Sequence, residues 1–234
     1  IVFGDWSSDV CSSDLLAELA AQPILLTLIV SLHAWRGSLP AKREELYSDT
    51  VDLLIDQWEG PKVVRDAEGR SLISQPSLAE WLRVDQGTVR AVLNQLAFEA
   101  HRGQPELNGT ADITQKQLIS ALIKVNHNPD VHMVQLLEYI SHRTGVLTSR
   151  GEGVYAFSHR TLQEYFAACY LVDVEYPYLL VEQLRQDNAR WQEIALLAVS
   201  KAVRGSAHAV WAFLQASCPY DWPQIGRASC RERV

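Results

Sequence analysis

One methionine occurs among the 234 residues, and it does not open the chain, which begins Ile1-Val2. Cysteine is also scarce. Its four positions, Cys11, Cys169, Cys218 and Cys230, form no C-x-x-C and no even spacing. That excludes a disulfide framework and a structural zinc site, and points to a reducing compartment. The longest apolar run, Ile24 to Leu32, is broken by Thr27 and Ser31 and is about half the ~20 residues that cross a bilayer. No basic segment precedes it, so it does not read as a signal peptide. A cytoplasmic location is expected. Positive charge is not in excess: 21 Lys and Arg stand against 28 Asp and Glu, a net charge of −7. A nucleic-acid binder needs a basic footprint to neutralise phosphates, and the balance argues against one.

Several chemistries lack their residues. No G-x-x-x-x-G-K-[ST] occurs, and no apolar strand ends in paired acidic residues, so a phosphate-cradling loop and a Mg²⁺ site are missing. No G-x-S-x-G is present, and Ser158 and His159 are adjacent rather than arranged as nucleophile and base. His127 and His132 flank a turn with Asp130 between them, but a metal site needs three or four convergent ligands, and a solvated loop is expected. What remains is ordinary globular composition, 47% hydrophobic and 21% charged, with length for one large domain or two small ones.

The two ends differ from the middle. Residues 5–15 read DWSSDVCSSDL, a near-duplication without helical or strand period, and residues 225–234 read IGRASCRERV. Both resemble translated sequencing-adapter sequence, so 1–15 and 225–234 are expected to be non-native and leave the fold argument. The remaining 16–224 carry 18 basic and 24 acidic side chains.

That middle reads as mainly helical. Leu15 to Ala21 forms a short helix that stops before Pro23, itself placed where a first-turn proline is welcome. An apolar helix follows from Ile24 to Trp35. From Ala41 to Trp58 runs an amphipathic helix, with Tyr47, Val51, Leu54 and Trp58 inward and Glu44, Glu45, Asp52 and Asp56 mostly outward. Gly60-Pro61 breaks it. Ser77 to Glu80 and Thr114 to Gln117 are capping boxes. Between them Thr88 is expected to cap a helix with Val89, Val92, Leu93, Leu96 and Ala97 on one face. A polar loop follows at 102–110. Leu118, Leu122 and Val125 then face inward from the helix after Thr114, and Val131 to Arg143 forms another. The period next changes: Val146-Leu147, the turn Arg150 to Gly153, and Val154 to Phe157 read as a β-hairpin. With Ser158 as N-cap, a helix then carries Leu162, Tyr165, Phe166, Cys169 and Tyr170 as its core stripe. Tyr178 to Arg185, Trp191 to Val203 and His208 to Ala216 look like the start of a helical repeat. The seven tryptophans fall at helical spacing or at element ends, as core or junction residues. The fold class is therefore mainly α. It comprises a helical domain segment (16–60), a linker with a short helix (61–86), a winged-helix domain with a small β-hairpin wing (87–172), and the beginning of an α-helical repeat or arm (173–224).

Three segments, in order, resemble the NACHT branch of the STAND signalling ATPases. These are Leu19 to Thr27 (LAAQPILLT), Leu39 to Tyr47 with Leu53 to Trp58, and, most specifically, Tyr155 to Ala168 (YAFSHRTLQEYFAA). The last looks like the family's winged-helix signature, a wing strand running into His and then Gln-Glu-Tyr-Phe-Ala-Ala. Ser158 stands where Pro is common, and Leu162 replaces a usual Phe. The resemblance implies the C-terminal part of a NACHT module, regulating a nucleotide-gated switch by closing over ADP or ATP. An upstream NTPase domain of the same protein would hold that nucleotide and the Mg²⁺. That domain is the implied partner, homo-oligomerisation on activation is implied as well, and hydrolysis by this chain alone is not expected.

The same resemblance implies that His159 reaches the β-phosphate and that Pro23 contacts adenine. Read from the residues alone, His159 is a surface histidine capping or packing near a helix start, where unpaired N–H groups favour an anion. Pro23 alone is a helix-start proline. Gln163 and Glu164 are expected to solvate the outer face of their helix, with bonds across to a neighbouring domain as the alternative, and Cys169 to be a buried inert thiol. Two other readings stand beside the switch. A DNA-binding winged helix is disfavoured by the balance of seven basic and seven acidic residues between Gly87 and Val172 and by a wing with only Arg150, offset by Glu152. A helical protein-interaction scaffold is the third.

Overall fold

A computed structural model describes residues 23–40, 42–57, 64–65, 71–73, 78–105, 108–132, 135–138, 140 and 145–218. Both expected non-native ends, the helix expected at 15–21 and the Ser77 cap lie outside the described residues.

The first helix, α1 (Pro23–Arg36), begins at Pro23 as the sequence suggests and stops at Gly37, whose φ of 77° only glycine adopts at ease. Next comes α2 (Arg43–Asp52), which continues as a π-helical turn, Leu53–Gln57. Its buried face holds Leu46, Tyr47, Val51 and Leu54. Each contributes roughly 1.5–3 kcal/mol on burial, more than any exposed ion pair on the same helix can supply. Glu44 departs from the expected outward face. It is 3% exposed because a later helix covers it, and Arg204 on that helix pairs with it at 3.0 Å. A short ribbon follows, β1 (Val64–Arg65) antiparallel to β2 (Ser71–Ile73).

Two helices follow, α3 (Leu78–Leu82) and α4 (Gln86–Gly103). The cap of α4 is Asp85, not Thr88: its carboxylate accepts from the Thr88 N–H at 2.9 Å and from the Thr88 hydroxyl at 2.5 Å. An acceptor three residues before the N–H reaches it without distorting the turn, so the helix starts earlier. Val89, Val92, Leu93, Leu96 and Ala97 are all buried on its inner face. After the loop comes a strand that the sequence pattern does not announce, β3 (Asp112–Thr114). Only Ile113 is buried in it, and three residues are too few to display a period of two. Thr114 then caps α5 (Gln115–Val125) through the expected capping box. Residues 135–138 and 140 are helical, with Leu136, Leu137 and Ile140 buried.

The hairpin forms as expected. Strand β4 (Leu147–Gly151) pairs antiparallel with β5 (Val154–Phe157) through a turn in which Gly153 takes φ 70°. Strand β3 adds to the other edge of β5, with Ile113 opposite Tyr155, so the sheet order is β3-β5-β4. From β5 the chain runs into α6 (Arg160–Glu175), which is buried continuously from Leu162 to Cys169. It packs on α4, on α2 and on the arm. The arm consists of α7 (Tyr178–Gln186), α8 (Asn188–Gly205) and α9 (His208–Ser217). Trp191 of α8 is 2% exposed and meets Phe98 of α4 with ring centroids 5.5 Å apart. The outermost helix, α9, buries no residue, and Trp211 on it is exposed. Among the described residues no helix is long and apolar enough to cross a membrane.

Candidate functional site at the start of helix α6

Strand β5 delivers its last residue into the start of α6 without a loop. Ser158 still belongs to the sheet side, its N–H donating to the Val146 carbonyl at 2.9 Å. The N-cap is therefore His159, not Ser158. Its backbone is extended (φ −145°, ψ 146°), and Nδ1 accepts from the Thr161 N–H at 3.2 Å. The Thr161 hydroxyl lies 2.6 Å from the same nitrogen. An imidazole replaces the usual short oxygen side chain because its Nδ1 reaches the second helical N–H as an aspartate oxygen would.

A backbone N–H cannot accept, so Nδ1 carries the lone pair and the ring proton sits on Nε2. Partial burial lowers the His159 pKa, which keeps the ring neutral. Among the described residues nothing accepts from Nε2. The N–H groups of Arg160 and Leu162 at the same helix end also lack an acceptor there. These three donors have no acceptor among the described residues, and they lie at the positive end of a 16-residue helix, a position that suits an anion.

The other sequence-derived candidate, Pro23, is the first residue of α1. Its side chain lies outside the described residues.

Residues 43–171 match the family model described as the winged helix-turn-helix domain C-terminal to NACHT. The chain belongs to this family. No curated protein and no solved structure matches it. The matched span runs from the first residue of α2 to Leu171 in α6, so it contains both the sheet and the His159 corner.

Within this NACHT-associated winged helix, sequence reasoning misplaced two polar residues. Gln163 and Glu164 are 0% and 4% exposed rather than on a solvated face. The reason is enclosure: α4, α8 and α2 surround α6, so its polar positions are buried with its apolar ones. Gln163 Oε1 accepts from the Ala111 N–H at 2.8 Å, and its amide nitrogen reaches His101 Nδ1 at 3.1 Å. The other His101 nitrogen faces the Arg190 carbonyl at 3.2 Å, and Arg190 donates to the carbonyls of His101 and Gln104 at 3.0 and 2.5 Å. Desolvation pushes the His101 pKa down to about 4. Glu164 is raised by burial and pulled back by Arg160, its partner at 2.7 Å. The available signal was Gln-Glu inside an otherwise apolar run, LQEYFAACYL.

Two further residues bear on alternatives. Arg150 of the wing donates to the Thr110 carbonyl at 3.1 Å and hydroxyl at 2.6 Å, and meets Asp112 at 3.2 Å. Its guanidinium is exposed but already shared with Thr110 and Asp112 at the edge of the sheet. Cys169 is buried with its pKa raised to about 11, which leaves the thiol protonated and unreactive.

Proposed function

We propose that this chain is the regulatory lid of a NACHT-type switch, closing over ADP or ATP held by an upstream NTPase domain. The observation that carries the reading is the spare Nε2–H of His159 at the start of α6, in a ring whose other nitrogen is already committed. A diphosphate offers the acceptor oxygens that this corner lacks. His159 would donate one hydrogen bond from Nε2, and the N–H groups of Arg160 and Leu162 would add to the field. Pro23, through the family resemblance, is assigned to the adenine side.

The nucleotide and its Mg²⁺, when bound, supply phosphoryl chemistry in the upstream domain. This chain contributes binding and closure. ADP favours the closed state only by its differential affinity for closed over open. Loss of one hydrogen bond to a charged oxygen changes that affinity about 10- to 100-fold. The test is His159→Leu in the complete protein, with bound ADP measured after purification. The expected outcome is at least a tenfold faster loss of ADP. Retention equal to wild type would refute the contact.

A further inference from the structure

Away from the His159 corner the surface carries two patches of opposite sign, each built around exposed apolar side chains. The first lies on α5. Between Asp112 and Asp130 the chain has two lysines and no acid. Lys116 and Lys124 stand eight residues apart on α5, about 12 Å along the helix. Neither makes an ion pair among the described residues. Leu118 and Leu122 fill the inward side of α5, whereas Ile123 is 51% exposed. Beside the lysines a groove of about 430 Å³ opens between α5 and α4, with buried Val92 and Leu96 in its lining. Glu99 lines it too, but its carboxylate already accepts from Gln95 at 2.7 Å. One carboxylate against two ammonium groups leaves the rim positive.

The second patch lies where α6 gives way to α7. From Thr161 to Leu184 the chain has no Lys or Arg. Val174 and Glu175 in the last turn of α6, and Tyr178 and Glu182 one turn apart on α7, are all exposed. Tyr178 is 72% exposed and Val174 54%. Glu182 accepts from the neutral Gln186 amide at 3.2 Å, and among the described residues no cation pairs with it or with Glu175. Tyrosine combines a large, stiff apolar body with a polar tip, which makes it a frequent anchor in protein interfaces. Here it stands between two carboxylates, three residues after one and four before the other. The groove on α5 stands beside two ammonium groups.

We propose that the α6–α7 corner of one copy of this chain docks on the α4–α5 face of a second copy, with Tyr178 entering the groove and Glu175 and Glu182 meeting Lys116 and Lys124. The contact joins two different patches, so the association is head-to-tail and each end of a pair keeps one patch open for a further copy. It goes beyond the lid reading, because neither a nucleotide nor the His159 corner takes part. A duplex fits the α5 face less well. Phosphate binding grows with the number of aligned cations, and two lysines set about an exposed isoleucine make a short track. Apolar contact rimmed by opposite charges is the anatomy of a protein interface. The patches are small, so the pairing is weak and sensitive to salt.

The test is sedimentation equilibrium of the 234-residue chain at low salt, from about 10 to about 500 μM. The average mass of wild type should rise with concentration and pass that of two copies. Lys116→Glu with Lys124→Glu, and separately Glu175→Lys with Glu182→Lys, should each weaken association at least about tenfold, since each sets like charges against one another. Mixing the two double variants in equal amounts should restore it, because the unaltered patch of one meets the unaltered patch of the other. Tyr178→Ala should weaken association by about the same factor, and about 0.5 M salt by less. Melting curves identify any double variant that fails to fold, in which case Lys124→Glu and Glu182→Lys singly carry the test. A wild type that stays monomeric throughout overturns the proposal. So do double variants that associate like wild type, or a mixture that does not recover. Duplex DNA bound through Lys116 and Lys124 by a monomeric chain also overturns it, giving the α5 face to nucleic acid.

Discussion

Two imidazoles flank the same helix and have opposite fates. His101 lies at the end of α4 against the middle of α6, 2% exposed, with Nδ1 facing Gln163 and Nε2 facing the Arg190 carbonyl. His159 caps α6, partly buried, with Nδ1 committed and Nε2 without a partner among the described residues. Burial lowers both pKa values and keeps both rings neutral. The difference is completeness. Where every polar atom has a partner inside the fold, the group fixes structure, tying α4, α6 and the arm helix α8 together. Where one donor has no acceptor among the described residues, the group is available to a further partner. Histidine content alone separates nothing here; the inventory of hydrogen bonds does.

The comparison can be broken most forcefully at its closed end. Replacing Gln163 by Leu strands the Ala111 N–H and His101 Nδ1 in the interior. The expected loss is about 3 kcal/mol of unfolding free energy, read by urea denaturation. A change below ~1 kcal/mol would show that water takes over both groups.

Acid offers a second approach to the same side. The folded pKa of His101 is about 4, against 6.5 for the free ring. The unfolded chain therefore binds a proton that the folded chain refuses between those values. Above pH 6.5 this group contributes nothing to the pH dependence. As pH falls from about 6.5 to about 4 stability declines, and the total approaches about 3 kcal/mol. His101→Gln should flatten that part of the curve. An identical slope in wild type and variant would refute the assignment.

At the open end the balance reverses. His159→Leu removes a cap and should cost only about 1 kcal/mol in a thermal melt, while speeding ADP loss at least about tenfold in the complete protein. If stability fell as far as in Gln163→Leu, the two imidazoles would be the same kind of group. The smallest effect is expected at the wing. Arg150→Ala loses an exposed pair and bonds to Thr110, so stability should fall by less than about 1 kcal/mol. Any duplex-DNA affinity should also be unchanged in filter binding, because the charge is already engaged by Thr110 and Asp112. A marked, salt-dependent loss of such affinity would restore a nucleic-acid role to the wing.

Much of this was open to inspection in the residue order. The core stripes of α4 and α6, the Thr114 capping box, the hairpin from Leu147 to Phe157 and the three arm helices follow from period and punctuation. The His159 corner was visible as a motif, although its cap was displaced by one residue. Helix α2 shows the boundary: Tyr47, Val51 and Leu54 face inward as their spacing implies, but Glu44 beside them is buried against an arginine 160 positions away. No local rule contains that information.

Sequence by itself determined where helices and hairpin lie, because apolar spacing, caps and glycine turns act over a few residues. Tertiary structure alone decided which polar groups are enclosed and which remain available. Gln163 and Glu164 became interior because helices distant in the chain close around α6, and β3 became a strand because the free edge of β5 was there to accept it. His159 shows both kinds of cause: Thr161, two residues on, occupies its Nδ1 by a local cap, whereas the packing around α6 decides what its Nε2 meets.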